Sequence, residues 1–342
     1  MSFERVQQAI EDIKQGKMIV MIDDEDRENE GDLVYAATFS TPQHVNFMAS
    51  VAKGLICVAI SKDIAKRLEL EPMVQYNNSQ HETAFTVSVD AKDATTGISA
   101  YERDMTIKLL ASPLSSSNDF VRPGHIFPLI AKDGGVLIRT GHTEGSVDIC
   151  KLAGVLHCAV ICEIMRDDGQ MARRNDLEIF ANRHNLNTIY ISDLVEYRLR
   201  NEELIQLVSE EGIEFFDAKV KKKVFKDHQG KFHYAIVFYK LHETENVKFH
   251  NISRDIDLLI HPSKYKQLIN SINYLKQNGG VLIFLDGTNT SSSNSIKEYG
   301  IGAQILTKLG IKNIKLLASH KGKEFVGLGG FGLDIVEEVE IY

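Results

Sequence analysis

The sequence predicts an α/β (α+β) protein built as two domains, and three observations carry that expectation. Helix-period and strand-period signals alternate through the first two hundred residues, the pattern of a layered α/β domain whose strand order stays open. Around residues 200–220 the texture turns charged and weakly periodic, which divides the chain into residues 1–200 and 201–342. A length of 342 residues suffices for two ordinary domains.

The elements follow in order. Phe3, Val6, Ile10 and Ile13 recur at helical spacing, Gly16 supplies a stop, and residues 18–22 read as a buried strand. Thr41-Pro42 is an N-cap with a first-turn proline and opens a helix toward Val51; residues 55–60 are the next strand. Phe85, Val87 and Val89 alternate with polar residues, as in a strand with one wet face. Ser99 and Glu102 have capping-box spacing at the start of a helix that runs to Ala111. Residues 126–131, 136–139 and 155–164 read as strands, with a helix over 143–153 ended by Gly154. In the second half, residues 262–277 form an amphipathic helix, Gly279-Gly280 ends it, and 281–286 is a strand. The polar run 287–295 leads into a second capping box, Ser295 with Glu298. It lacks the lysine of a P-loop and reads as a linker.

Composition narrows the function classes. At 43% hydrophobic and 25% charged the chain is globular, and its net charge of −8 argues against nucleic acid as the main partner. There is no uncharged apolar run of about eighteen residues and no charged-then-apolar leader. No membrane association is therefore expected, and the cytoplasm is the expected location. Cys57, Cys150, Cys158 and Cys162 all lie in the first half. On one strand Cys158 and Cys162 would stand about 13 Å apart at about 3.3 Å per residue, too far to share a zinc or a disulfide. With Cys150 they read as small buried hydrophobes.

The candidate chemistry begins at residues 23–32, where seven of ten positions are carboxylates directly behind the first apolar strand. Several oxygens converging on a loop suit a hard divalent cation, and a solvated acidic turn is the other reading. Two Gly-His segments follow, Arg122-Pro123-Gly124-His125 and Arg139-Thr140-Gly141-His142-Thr143-Glu144. In the second, Thr143 and the first amides of the next helix suit an anion, Arg139 offers a fork to phosphate, and His142 is a possible metal ligand. Glu163 ends an apolar strand, where partial burial would raise its pKa toward that of a working acid or base.

These segments, together with Thr95-Thr-Gly-Ile-Ser-Ala100 and Asp167-Asp-Gly-Gln-Met-Ala172, resemble the 3,4-dihydroxy-2-butanone-4-phosphate synthase family of riboflavin biosynthesis, in order over residues 1–200. The resemblance implies a mixed-sheet domain surrounded by helices. It also implies a lyase reaction that converts D-ribulose 5-phosphate to L-3,4-dihydroxy-2-butanone 4-phosphate and formate with Mg²⁺ or Mn²⁺. Glu28 and His142 match the metal ligands. Arg27, Glu28, Asp32, Arg139, Thr140, Gly141, His142, Thr143 and Glu163 match substrate-binding positions. His125, Glu163 and Asp32 match positions for turnover, and Cys57 a cysteine near the site. The family implies a homodimer with sites at the subunit interface, where Thr95 to Ser99 could serve the neighbouring subunit.

Residues 201–342 resemble the GTP cyclohydrolase II domain in scaffold, through 279–285, 299–306, Leu309-Gly310 and 330–336. That family holds zinc through three cysteines, and this half has none; His250-Asn-Ile-Ser-Arg254 stands where the first cysteine segment would begin. Asn251 and Ser253 cannot replace thiolates, so no zinc and no GTP cyclohydrolase activity are expected. Nor do His228, His233, His242, His250 and His261 have the spacing of a common metal site. The alternatives are a bifunctional enzyme that also opens GTP, or a C-terminal module that senses a nucleotide or flavin.

Overall fold

The structure, a computed structural model, describes residues 2–341 except Asp26, Glu82, 239–243, 287–291 and 319–332; for 292–299 it describes the backbone alone. The chain divides into two compact units, Met1–Tyr197 and Arg198–Tyr342. Among the described residues, no helix is long and apolar enough to cross a membrane.

The first unit runs α1 (Ser2–Lys14), β1 (Ile19–Ile22), β2 (Gly31–Ala36), α2 (Pro42–Phe47), β3 (Cys57–Ile60), α3 (Lys62–Arg67), β4 (Val89–Ala91), α4 (Ala100–Leu110), β5 (Phe120–Ile130), α5 (His142–Leu152), β6 (Cys158–Glu163), α6 (Arg174–His184), β7 (Asn187–Tyr190) and α7 (Ile191–Asn201). Its seven-stranded sheet has the order β4-β5-β3-β6-β2-β1-β7. β1 is parallel to β7 and β3 to β5; the other pairs are antiparallel. β1, β2 and β3 are buried along their whole length, as strands covered on both faces must be. Val20, Leu33, Tyr35, Val58 and Val160 join Met48, Leu68, Ile107 and Leu110 in one apolar core. All four cysteines are buried and free.

Several sequence expectations take this form. Thr41 and Ser99 cap their helices through the amides of His44 and Glu102, and Gly16 and Gly154 adopt positive φ behind theirs. Others do not. Residues 136–139 are not a strand: Gly135–Leu137 is a 3-10 turn, because consecutive positive φ angles at Gly134 and Gly135 curl the chain. The alternating stretch from Phe85 shrinks to two isolated bridges, at Phe85 and Thr86, and the three residues of β4. β2 was hidden in the sequence, since its first polar residue, Asp32, closes the acidic run.

The second unit contains β8 (Ile205–Phe215), β9 (Ala218–Asp227), β10 (Phe232–Phe238), β11 (Thr244–Asn251), α8 (Asp255–Leu259), α9 (Pro262–Asn278), β12 (Gly280–Leu285), α10 (Ser292–Lys308), β13 (Asn313–Ala318) and β14 (Asp334–Glu340). Its sheet has the order β14-β13-β11-β12-β10-β9-β8, antiparallel from β8 to β12 and parallel from β12 to β14. The charged segment beyond residue 205 is thus the β8–β9 hairpin, whose lysines and glutamates pair across the strands, Lys221 and Lys223 with Glu210 and Lys222 with Glu211. α10 begins at Ser292, so Ser295 lies inside the helix and not at its cap. The Ser295 and Glu298 side chains, the loop 287–291, His242 and residues 330–332 of the cyclohydrolase-like motif lie outside the described residues.

Candidate active site

The acidic run is the connection between two paired strands. Ile22 of β1 lies opposite Gly31 of β2, so both ends of the loop are fixed by the sheet. Asp23 organises what lies between. Its buried carboxylate accepts from the amides of Glu30 (2.9 Å) and Glu28 (3.4 Å) and from Arg27 Nη1 (2.6 Å). Arg27 also reaches Glu28 Oε2 at 3.0 Å, placing one guanidinium between two carboxylates.

His142, the first residue of α5, faces this loop and is 6% exposed. Its Nε2 stands 3.2 Å from the Met21 carbonyl, an acceptor only, so Nε2 carries the proton and donates. Nδ1 therefore presents its lone pair, 3.8 Å from Asp32 Oδ1 and 4.0 Å from Glu28 Oε2. Burial lowers the pKa of His142, which keeps the imidazole neutral and fit to ligate. Asp23, Glu28 and His142 offer ligand atoms within 4.8 Å of one another. Asp32 Oδ1 is buried with no hydrogen-bond partner among the described residues. An orphaned carboxylate oxygen beside an imidazole lone pair and a second carboxylate is a donor set that fits a hard divalent cation.

Asp32 lies opposite Glu163 in the β2–β6 ladder. Burial pushes the Asp32 carboxyl well above its ordinary range, and the charges of Glu163, Glu28, Asp23 and Glu30 add to it. Burial also raises Glu163, although its Oε2 accepts from the Leu55 amide at 2.9 Å. Ile161, Cys57 and Phe127 form one row across β6, β3 and β5. Glu163 and His125 each stand two residues from it toward the same edge, hence on one face and about 10 Å apart at about 4.8 Å per strand. The sheet thereby aligns Asp32, Glu163 and His125 along one rim.

His125 is tied to a residue the sequence did not single out. Both oxygens of buried Asp90 engage it, Oδ1 at 2.8 Å from its amide and Oδ2 at 2.7 Å from Nδ1. A carboxylate there fixes Nδ1 as the nitrogen that donates and leaves Nε2 turned away from Asp90, on a side chain 44% exposed. Gly97 packs on this pair at φ +79°, where an added Cβ would lie 2.0 Å from Asp90 Oδ2. The Thr95–Ser99 segment thus abuts His125 within the chain. Glu102 winds it up, accepting from the amides of Thr95, Thr96 and Gly97 and from the hydroxyls of Thr95, Thr96 and Ser99. The Thr95 hydroxyl and amide contribute most to holding the Glu102 pKa down to about 2.

Arg139 is engaged by the protein itself. Its Nη1 donates to buried Glu144 at 2.6 Å, and Nε and Nη2 both donate to the His81 carbonyl. Nδ1 of His81 stands 3.9 Å from Glu28, so the two motifs meet through His81. Gly141 is the N-cap residue of α5; His142 and Thr143 open the helix, with Thr140 just before the cap. Cys57 is buried in the sheet, and burial raises its thiol pKa.

Sequence reasoning thus located Arg27, Glu28, Asp32, His142 and Glu163, which the fold brings together, and His125, which the same rim carries. It did not single out Asp23, Asp90, His81 or Glu144 as site residues. Asp23 and Glu144 had a signal, since the first opens the acidic run and the second closes the Arg139 segment; Asp90 and His81 are isolated polar residues that only tertiary contacts single out.

The family model described as 3,4-dihydroxy-2-butanone 4-phosphate synthase matches residues 7–197, and the GTP cyclohydrolase II model matches residues 287–340. A 3,4-dihydroxy-2-butanone 4-phosphate synthase of Sulfurospirillum multivorans is 60% identical over 337 residues, covering 98% of this chain and 94% of that one. The crystal structure of RibBX, a two-domain 3,4-dihydroxy-2-butanone 4-phosphate synthase from A. baumannii, is similar with a TM-score of 0.85 at 38% identity, over 99% of this chain and 100% of that one. A 3,4-dihydroxy-2-butanone 4-phosphate synthase in complex with two magnesium ions is similar over 57% of this chain and 97% of that one, with a TM-score of 0.56 and 38% identity.

Proposed function

Because the chain belongs to the 3,4-dihydroxy-2-butanone 4-phosphate synthase family, a family of riboflavin-biosynthesis lyases, we propose that its first unit converts D-ribulose 5-phosphate to L-3,4-dihydroxy-2-butanone 4-phosphate and formate. The observation that carries this reading is the His142 Nδ1 lone pair facing Glu28 and the orphaned Asp32 oxygen. Glu28 and His142 would hold a divalent cation, Mg²⁺ or Mn²⁺; a similar synthase crystallised with two magnesium ions favours magnesium. Such a cation supplies Lewis acidity toward the ketone and an adjacent hydroxyl, which makes the neighbouring carbon-bound proton removable.

The chain's own groups do the rest. Asp32, whose proton affinity burial and the neighbouring carboxylates raise, accepts the carbon-bound proton. Glu163, whose proton affinity burial raises, gives a proton to the hydroxyl that leaves as water. His125 Nε2 is a second exchangeable site on the same rim. The skeleton shift and hydrolysis that follow return the water, so five carbons become four plus formate without net change. Arg27 neutralises the loop beside the sugar hydroxyls. Arg139 has N–H donors beyond the three already used, and with Thr140 to Thr143 at the start of α5 it binds the phosphate.

Two copies are proposed to associate through the face that exposes Ile98, Tyr101, Met105 and Leu114. That face adjoins the Thr95–Ser99 segment, consistent with sites at a dimer interface. The second unit is proposed to be silent toward GTP: residues 201–342 contain no cysteine, and among the described residues the candidate metal group lies wholly in the first unit. Formate release from ribulose 5-phosphate with Mg²⁺, and separately from GTP with Zn²⁺, tests both readings. Formate from the sugar phosphate alone is expected. None from the sugar phosphate sinks the first reading, and formate from GTP sinks the second.

A further inference from the structure

The segment Asp167-Asp-Gly-Gln-Met-Ala172 contributes no group to the chemistry above, yet its place in the fold is specific. It reverses the chain behind β6 as a tight turn: Arg166 N donates to Gln170 O, Gly169 adopts φ +84°, and Met165 bridges Met171. Ala172 N then returns to Ile164 O, while Ile164 N donates to Gly31 O where the acidic loop ends. The turn thereby fixes the start of α6 against the loop. Leu177 of α6 packs so closely on Gly31 that an added Cβ would lie 2.7 Å from its methyl carbons.

Arg173 and Arg174 stand at this helix start and reach the loop at two points. Nη1 of Arg173 donates to the carbonyls of Glu28 and Asn29 (2.8 Å for the latter) and lies 3.4 Å from Glu30 Oε1. Asn29 is left-handed, with φ 53°, at this corner of the loop. Nη1 of Arg174 meets Glu25 Oε1 at 2.8 Å, and its guanidinium lies over the Tyr190 ring. A loop this rich in carboxylates repels itself, and none of its described residues 23–30 lies in a helix or strand. Two external guanidinia add to what Asp23 and Arg27 hold from within. One grips the backbone of Glu28, and the other grips the opposite arm.

We infer that Arg173 is a positioning residue for the divalent cation: by holding the Glu28 and Asn29 carbonyls it presets the Glu28 carboxylate toward His142 before the cation arrives. Arg173 touches neither cation nor substrate. The inference rests on the proposed roles of Glu28 and His142, and it gives the turn before α6 its purpose. Without Arg173 the loop must be ordered at the moment of binding, and that entropy is subtracted from affinity. Outer-shell partners of metal ligands change affinity by about 10- to 100-fold.

The test is Mn²⁺ binding to the full chain, with free Mn²⁺ counted by its EPR signal, for the parent and for Arg173→Ala, Arg173→Lys and Glu28→Gln, together with amide hydrogen exchange over residues 24–30. Arg173→Ala is expected to bind Mn²⁺ about tenfold more weakly or worse and to exchange faster in this loop alone. At saturating Mn²⁺ it should recover most of kcat. Arg173→Lys, which keeps one charged donor, should fall between and covers the case in which the alanine variant fails to fold. Parent-like Mn²⁺ affinity in the arginine variants while Glu28→Gln loses the ion overturns the inference and leaves the metal reading standing. Parent-like affinity in Glu28→Gln overturns the metal reading and the inference with it.

Discussion

The two units share an architecture and differ in what their buried charges do. Among the described residues each is a seven-stranded mixed sheet with helices. In the second, buried His233 receives the Asp286 amide at Nδ1 and faces Asp227 from Nε2 at 3.2 Å, and Asp227 also accepts from the amides of Gln229 and Lys231. Burial would raise the Asp227 pKa, but the His233 bond and these amides hold it below the ordinary range. In the first, Asp32 is buried among like charges with an oxygen unpaired, and its pKa moves the other way. A closed network serves the fold. An open one costs stability and persists where a ligand closes it.

The largest expected effect strikes that contrast directly. Glu28→Gln or His142→Ala should lower formate release by about a thousandfold or more, because the Lewis acid that acidifies the carbon-bound proton is lost. His233→Ala should leave it within about twofold. Formate assays on purified variants check this, and comparable losses in both units would erase the distinction.

Next comes Asp32→Asn, expected to reduce kcat by about 10²- to 10⁴-fold while raising the melting temperature of chelator-treated protein at pH 8. The sign follows from linkage. A carboxyl whose folded pKa lies above its unfolded value favours the fold when protonated, and that contribution is lost as pH rises through the folded pKa. The asparagine cannot ionise, so its advantage should shrink toward pH 4. A variant less stable than the parent at pH 8 would remove strain from the account.

Asp90→Asn sharpens the comparison inside the first unit, because it keeps the shape and removes the charge that orients His125. A fall in kcat of about tenfold, with a changed pH profile and little change in KM, is expected. An unchanged profile would show that the pair is only structural.

In the second unit, Asp227→Asn should cost about 1–3 kcal/mol of stability through a weakened buried network, seen in denaturant melts, with no loss of turnover. The smallest effect is expected for Glu102→Gln. It should lower the protection of the amides in residues 95–99 near neutral pH, relative to their intrinsic exchange rates, a loss the parent shows only when acid protonates Glu102 at about pH 2. Equal exchange rates would mean that the segment is ordered without the carboxylate.

Much of this was legible along the chain. The periodicity around Val6 and Ile10, the apolar run of β1, the caps at Thr41 and Ser99 and the glycine behind α5 are local signals, and local physics reproduced them. The failures share a cause. Residues 136–139 are apolar enough for a strand, but two left-handed glycines curl them. The charged stretch beyond residue 205 hid the β8–β9 hairpin, because cross-strand Lys–Glu pairing leaves no apolar period to read.

The sequence by itself determined the residue types of the site, the acidic run that precedes Asp32, and the absence of thiolates from residues 201–342, because these are properties of composition and order. Tertiary structure alone decided that Asp32 meets Glu163, that Asp90 fixes the tautomer of His125, that Met21 O turns the His142 lone pair toward Glu28, and that Arg173 reaches back 145 residues to hold the Glu28 carbonyl. Strand register and burial create those relations. Neither has a signature in any stretch of chain shorter than the fold itself.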